Sequence, residues 1–232
     1  MAAVDVQELQ ARIAEAQEAT RHRQDPPPGL PVPELLRGVL PDGLPVGAAT
    51  AVRDRALLVA LAAAALGDHG WAGVVAMPDL GLLAVDHAAT ASCIHRLLLV
   101  DEPAEQWPEI IAALAGGVDL ILLGPPPAVG EETARRIGAV LRRTNCALLV
   151  DGAWPGAALN GWVSEPVWQG LGRGWGQLTG RSANVHIAGR GRATRERTVR
   201  LLLPGANGKA EALPRTASER EDGGALSRAE HG

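Results

Sequence analysis

Apolar residues form short runs that alternate with helical stretches between residues 40 and 150. The strand-like runs occupy 48–52, 73–77, 97–100, 118–123 and 146–150, and the helical patterns occupy 55–66, 102–115 and 129–143. The run LILL at 120–123 contains no polar position, which is typical of strands that helices cover on both faces. The pattern predicts an α/β core in which a mostly parallel sheet is flanked by helices.

Both ends of the chain differ from this core. An amphipathic helix is predicted over 4–22, with Val6, Leu9 and Ile13 on one apolar stripe. This helix either docks on a partner or on a second copy of the chain, or it packs on its own domain. The predicted organisation is an N-terminal helical arm (1–24), a proline-rich linker (25–39), a core domain (40–204) and a disordered tail (205–232).

The segment after residue 150 is rich in glycine and tryptophan. We expect residues 151–182 to be loop-rich, and 184–188 and 198–203 to form a C-terminal antiparallel hairpin at one sheet edge. Trp154, Trp162 and Trp168 are candidate partner contacts, because tryptophan is enriched at interface hot spots. The chain has six Trp but no Phe or Tyr, so filling the core is the alternative role for each of them.

Charge is unevenly distributed along the chain. Ten acidic residues and one basic residue lie between positions 68 and 132, whereas seven arginines and one acid lie between 173 and 200. A basic patch that contains a tryptophan suits contact with phosphates and stacking on bases. The DNA-binding candidates are Arg173, Trp175, Arg181, Arg190, Arg192, Arg195 and Arg197. The alternatives are a solvated hairpin without function and a contact with an acidic protein surface.

Composition argues against several chemistries. Of 22 basic residues only Lys209 is a lysine, which excludes the usual lysine-dependent phosphate loop. His69, His87 and His95 lie in the acidic stretch, but their spacing favours surface histidines over a metal or acid–base site. The two cysteines lie in apolar runs, which favours reduced thiols in a core. We predict no catalytic residues, no cofactor and no metal.

Length and hydropathy suit one soluble domain. The chain has 232 residues, of which 47% are hydrophobic, and a formal net charge of −4. No stretch approaches the ~18 apolar residues of a transmembrane helix. The first residues lack the basic start of a signal peptide. A cytoplasmic protein is expected.

Three segments resemble RecA-type cores. Residues 40–47 (LPDGLPVG) resemble the turn before the first RecA strand, and residues 97–123 and 144–149 resemble later strands. In that family a phosphate loop follows the first strand, and a later strand ends in the Walker B aspartate. The resemblance therefore implies a RecA-like domain.

The RecA nucleotide motifs are missing from this sequence. Arg53, Asp54 and Arg55 lead directly from the first strand into a helix, and Gly124 stands at the Walker B position. Asp79 falls near the place of the RecA catalytic glutamate. Without Walker A and Walker B motifs, the resemblance implies a degenerate ATPase fold that hydrolyses no nucleotide.

Later segments are similar to the actinobacterial ImuA-type proteins, which are RecA-like accessory factors of a damage-induced mutagenesis cassette. These segments are 170–181, 188–193 and 203–205. The resemblance implies a non-catalytic adaptor of the SOS response to DNA damage. Its partner would be an ImuB-type Y-family polymerase homologue, which leads indirectly to a DnaE-type error-prone polymerase and the sliding clamp in translesion synthesis. The resemblance also implies that the protein could bind DNA directly and associate with itself. It further implies association with the nucleoid after DNA damage.

Two other functions compete with the adaptor. One is a SulA-like inhibitor of cell division, since SulA is also a RecA-fold protein without a phosphate loop. The other is a RecA-like or different α/β enzyme with an unrecognised site. The arginine-rich hairpin and the N-terminal arm favour the adaptor over the SulA-like inhibitor.

Overall fold

The structure is a computed structural model that describes residues 11–15, 29–126, 128–171, 176–189, 195–205 and 207–213. The strands in these ranges are β1 (Gly29–Leu30), β2 (Leu44–Pro45), β3 (Ala49–Val52), β4 (Ala72–Val75), β5 (Leu97–Val100), β6 (Leu120–Leu123), β7 (Ala147–Asp151), β8 (Leu159–Leu171), β9 (Gly176–Gly189) and β10 (Arg197–Leu202). The helices are α1 (Arg55–Leu66), α2 (Leu82–Ala88), α3 (Trp107–Leu114) and α4 (Glu131–Thr144), and 3-10 turns occupy Glu34–Leu36, Ile94–Arg96 and Ala104–Gln106. Residues 11–15 are also helical.

The strands from β3 to β10 form one mixed sheet in the order β10-β9-β8-β3-β7-β6-β4-β5. The strands from β8 to β5 in this order run parallel. β9 and β10 extend this sheet as antiparallel neighbours of β8, and β1 and β2 form a separate antiparallel pair. The predicted fold class, a mostly parallel sheet flanked by helices with a C-terminal antiparallel hairpin, is confirmed.

Two apolar cores lie on the two faces of the sheet. Leu120 and Leu122 of β6 belong to the core with α1 and α2, whereas Ile121 and Leu123 belong to the core with α3 and α4. All four side chains are buried, and burying a side chain of this size stabilises the fold by ~1.5–3 kcal/mol. Because both faces are covered, β6 has no polar alternation. In the described part of the chain, no helix has the length and apolar character that crossing a membrane requires.

The expectation of a loop-rich segment at 151–182 is wrong, because this segment contains β8 and the first half of β9. Four of its glycines, Gly161, Gly170, Gly176 and Gly180, lie inside these strands. A Cβ on Gly161 would lie 3.1 Å from Cδ2 of Leu57 in α1, and Gly170 adopts a φ of +90° beside a break in the β8–β9 ladder. These glycines permit close packing and a bulge, so their number does not indicate a loop.

The folded domain begins earlier than the predicted boundary at residue 40. Leu30 of β1 pairs with Leu44 of β2, and Leu36 is fully buried. Residues 29–39 therefore belong to the domain, and the rest of the predicted linker, 25–28, lies outside the described residues. Ile13 packs against the core with α3 and α4, which favours a helix that lies on its own domain.

The folded domain also ends later than the predicted boundary at residue 204. Glu211 and Leu202 exchange backbone hydrogen bonds of 2.9 and 3.0 Å. The N–H of Gly205 donates to the carbonyl of Lys209 at 2.7 Å. The described residues up to 213 are thus part of the fold, and the tail prediction concerns only the residues beyond them.

Arg96 is a buried cation at the carboxyl end of α1, and it is 5% exposed. Its Nη1 donates to the carbonyls of Leu66 and Gly70 at 3.3 and 2.6 Å. Its Nη2 donates to the carbonyls of Gly67 and Ser92 at 3.1 and 3.3 Å. The guanidinium therefore satisfies carbonyls of the turn that follows α1, shares the Leu66 carbonyl with the N–H of Gly70, and lies at the negative end of the helix dipole.

Replacing this cation should destabilise the domain. We expect Arg96→Met to lower the free energy of unfolding by about 3 kcal/mol, because buried carbonyl oxygens lose their donors. Urea unfolding followed by tryptophan fluorescence measures the change. Arg143→Met is the matched control, because Arg143 is exposed on α4 and its replacement should cost less than about 0.5 kcal/mol. Equal stabilities of the two variants would contradict the capping role of Arg96.

Candidate functional site at the carboxyl edge of the sheet

The junction between β3 and α1 lies at the edge of the sheet where open α/β proteins bind ligands. β3 ends at Val52 and α1 begins at Arg55. Asp54 is the N-cap residue of α1, and its Oδ1 accepts a hydrogen bond from the N–H of Leu57 at 2.9 Å. A carboxylate of the protein thus holds the helix N-terminus that would bind phosphate in a protein with a phosphate loop.

Arg181 of β9 neutralises this carboxylate. Its Nη2 donates to Asp54 Oδ1 at 2.8 Å, and its Nε donates to the carbonyl of Leu203 at 2.7 Å. The two paired side chains are only 12% and 13% exposed, and the Trp168 ring centre lies 5.6 Å from the guanidinium carbon. Arg181 therefore joins α1 to the antiparallel extension, and its guanidinium is not on the surface that the DNA-binding prediction requires.

A second ion cluster joins the start of α1 to the end of β7 and to the segment after β4. Arg55 Nη2 lies 2.7 Å from Oδ2 of Asp151, at the end of β7. Arg55 Nη1 lies 3.3 Å from Oδ1 of Asp79, which follows β4. The RecA resemblance places Asp79 near a catalytic glutamate. In the structure its carboxylate forms an ion pair with Arg55 of α1, and its side chain is 74% exposed.

Gly124 stands where the resemblance places the Walker B aspartate. The backbone that follows β4 lies directly against it and leaves no room for a side chain. Its N–H donates to the carbonyl of Val75 at 2.9 Å. A Cβ at this position would collide with the carbonyl oxygen of Ala76 and would lie 3.0 Å from Cγ of Met77. An aspartate side chain does not fit at this position without movement of the β4 end.

A cleft of about 530 Å³ opens at the same edge. The residues that line it include Arg53, Pro125, Pro126, Asp151, Trp154 and Asn160. Trp154 is buried and packs edge-on against Trp107, with ring centres 6.2 Å apart. The prediction of Trp154 as a partner contact is thus corrected: its ring fills the core and forms a wall of the cleft.

The other two tryptophan candidates lie on β8. Trp162 is half-buried and stacks on the ring of His186 at 5.2 Å, with an interplanar angle of 3°. Trp168 is 50% exposed, and so are two apolar neighbours on the same hairpin, Val167 at 53% and Leu178 at 49%. Val167 and Trp168 are consecutive in β8 and so point to opposite faces of the hairpin. The three exposed side chains together are called the hairpin patch below.

Of the remaining candidates for partner or DNA binding in the β8–β10 region and the N-terminal helix, the structure describes only some. Arg195 is exposed, and Arg197 begins β10 opposite Ile187. The other candidate residues lie outside the described residues: Val6, Leu9, Arg173, Trp175, Arg190 and Arg192. The DNA-binding site therefore stays a prediction.

The acidic stretch and the cysteines have structural roles. Asp86 accepts hydrogen bonds from the N–H of Cys93, the hydroxyl of Ser92 and the N–H of Ile94, and these bonds lower the pKa of its carboxyl.

Burial raises the pKa of the Cys93 and Cys146 thiols, so both are protonated at neutral pH. Their predicted place in the core is confirmed. Within the described ranges, no group of three or more His, Cys, Asp and Glu side chains could hold a metal ion.

Three polar side chains that no sequence pattern singles out lie close together on β8, on β9 and just before β10. Ser164 of β8 lies with its Oγ 2.7 Å from Nε2 of His186 on β9. Oε1 of Glu196, just before β10, lies 2.8 Å from Nδ1 of the same ring. Only the register of β8, β9 and β10 brings these residues together, and all of β8 lies in the segment 151–182 that the sequence predicts to be loop-rich.

The fold and this edge define an α/β protein with a mixed sheet whose carboxyl edge is held by its own ion pairs. A family model described as the MT3502 N-terminal domain matches residues 38–156. The protein Rv3395c of Mycobacterium tuberculosis, described as uncharacterised, is 34% identical over 147 residues, which cover 60% of this chain and 70% of that protein. The chain belongs to the MT3502 N-terminal domain family. The family match includes Asp54 and Gly124 but ends before β8.

An aspartate at position 124 should harm the fold. We expect Gly124→Asp to lower the free energy of unfolding by about 1–3 kcal/mol, because the new side chain overpacks the end of β4. The measurement is thermal unfolding followed by circular dichroism. Gly130→Asp is the matched control: a Cβ there meets open space, and Gly130 is the N-cap of α4, where aspartate is favourable. If the Gly124→Asp protein were as stable as the control, the backbone after β4 would be able to move away and accommodate the side chain.

Proposed function

We propose that this chain is a cytoplasmic RecA-fold adaptor that hydrolyses no nucleotide and binds an ImuB-type Y-family polymerase homologue in a damage-induced translesion synthesis complex. The similarity of its later segments to ImuA-type proteins supports the choice of partner. The capping of α1 by Asp54, held by Arg181, is the observation that carries the proposal. It supports the part of the proposal that excludes a bound nucleotide, because the helix N-terminus already holds a carboxylate of the protein.

The electrostatics of the edge oppose a bound nucleotide. A phosphate at the N-terminus of α1 would have to displace the carboxylate of Asp54, which already accepts the N–H of Leu57 and pairs with Arg181. The one lysine of the chain is engaged elsewhere, since Lys209 Nζ donates to the carbonyl of Ala89 at 3.3 Å. The lysine and the free amide groups of a phosphate loop therefore have no counterpart at this edge among the described residues.

The hairpin patch supports a binding role. Val167, Trp168 and Leu178 expose about half of their side-chain surface on the antiparallel extension. Exposed apolar side chains that include a tryptophan are typical of interface hot spots. Arg195 is exposed near the start of β10, and we propose that it contributes a salt-dependent contact with DNA.

Nucleotide titration tests the first half of the proposal. We expect the pure protein to bind a fluorescent ATP analogue with Mg²⁺ more weakly than a Kd of about 1 mM, and to release no phosphate above the buffer rate. The physical reason is that Asp54 occupies the helix N-terminus. A RecA protein with an intact phosphate loop is the positive control. Stoichiometric binding with turnover would instead favour the enzyme alternative.

Capture on an immobilised ImuB-type polymerase homologue tests the second half. We expect the wild-type chain to bind and Leu178→Ser to weaken binding ~30-fold, which corresponds to about 2 kcal/mol at an interface hot spot. Leu83→Ser is the matched control, because Leu83 is 64% exposed on α2, away from the hairpin patch. Capture by the cell-division protein FtsZ and not by the polymerase homologue would replace the proposal with the SulA-like function.

A further inference from the structure

Ser164, His186 and Glu196 form a chain of hydrogen bonds on one face of the antiparallel extension. These three side chains are called the relay below. Ser164 Oγ lies 2.7 Å from His186 Nε2, and Glu196 Oε1 lies 2.8 Å from His186 Nδ1. Thr198 Oγ1 lies 3.0 Å from the same Nδ1. The neighbouring positions Val163, Val185 and Val199 of these strands point to the opposite face, where they contact the core with α1. The relay therefore faces away from the α1 side of the sheet.

The order of the partners sets the protonation of the ring. A carboxylate only accepts hydrogen bonds, so Glu196 holds the proton of His186 on Nδ1. The lone pair of Nε2 then points at the hydroxyl of Ser164 and accepts its proton. Trp162 stacks flat on the imidazole and fixes its plane. Serine, histidine and acid thus have the mutual roles of a catalytic triad.

The backbone beside the serine is strained. The β8–β9 ladder breaks between Ser164 and Val167, and Glu165 adopts a φ of +49°. A residue other than glycine in this conformation stores strain that often accompanies a functional site. The Glu165 carboxylate is itself occupied, because Asn184 Nδ2 and Arg200 Nη1 donate to it at 2.9 and 3.2 Å.

The site is open enough for a small reactant. The side chain of His186 is 15% exposed and that of Glu196 is 51% exposed, and Ser164 is half-buried. A general base with a neutral Nε2 at hydrogen-bond distance activates a serine hydroxyl. Ser92 differs in this respect, since its hydroxyl donates to the Asp86 carboxylate and has no histidine partner in the contacts of the described residues.

We propose that Ser164 is an activated nucleophile that takes an acyl group from small activated carboxylic esters. Ser164 Oγ forms a bond to the carbonyl carbon while its proton moves to Nε2 of His186. The bond from that carbon to the leaving oxygen breaks, and the alcohol leaves with the proton from Nε2. Water then attacks the acyl-serine by the same proton transfers and releases the carboxylic acid. Glu196 is the positioning residue of His186. This chemistry is independent of the proposed adaptor function.

Labelling with an alkyl fluorophosphonate, followed by peptide mapping, tests the site on the full-length folded protein. We expect one adduct per chain on Ser164, and none in urea, where the relay is dispersed. Ser164→Ala should abolish the adduct, and His186→Ala should slow its formation about 100-fold, the size of a general-base contribution. Ser92→Ala is the matched control and should label at the wild-type rate.

Hydrolysis of p-nitrophenyl acetate gives the readout for Glu196. The wild type should hydrolyse the ester in a Ser164-dependent reaction, and His186→Ala should lose most of that rate because the general base is gone. Glu196→Gln should lower the rate, and Glu196→Asp should recover part of it, with unfolding curves showing that each variant is folded. A folded wild-type chain that gives no Ser164 adduct, or labels equally fast without His186, overturns the proposal.

Discussion

The ion pair between Asp54 and Arg181 connects the two halves of the sheet. Asp54 caps the helix that covers the parallel half, and Arg181 lies 127 positions later on the antiparallel extension. The same arginine donates to the carbonyl of Leu203, where the chain leaves β10. Both side chains are nearly buried, so removing one would leave the other charge without its partner in a region of low dielectric. The path of α1 and the position of β9 therefore depend on each other.

The carboxyl edge of the parallel strands is held together by ion pairs and close backbone contacts of the protein itself. Arg55 binds the carboxylates at the ends of two strands, and Gly124 lets the end of β6 lie directly on the backbone after β4. Charges that would otherwise face a ligand are satisfied within the protein. The reactive geometry lies instead on the polar face of β8, β9 and β10, where a histidine stands between a serine and a carboxylate.

The parallel half of the fold is predictable from sequence because local patterns are sufficient there. The apolar runs locate β3 to β7, and α1 spans the residues that its periodicity indicates. β8 was missed because Gly161 and Gly170 are also the residues expected in loops, and only contacts with Leu57 or the β9 ladder show their role. The relay of Ser164 and His186 was missed for the same reason, since it requires a strand register that no local pattern contains.

The place of β3 in the sheet has a consequence for how the chain folds during synthesis. β3 is the first strand of the large sheet to be made, yet its neighbours are β7 and β8, and Val52 pairs with Asp151. At ~5–20 residues per second, a ribosome needs roughly 5–20 s to make the intervening hundred or so residues. During that time β3 and the apolar face of α1 lack their partners. Such long-range pairing makes folding slow, and apolar surface that is exposed in the meantime favours association between chains.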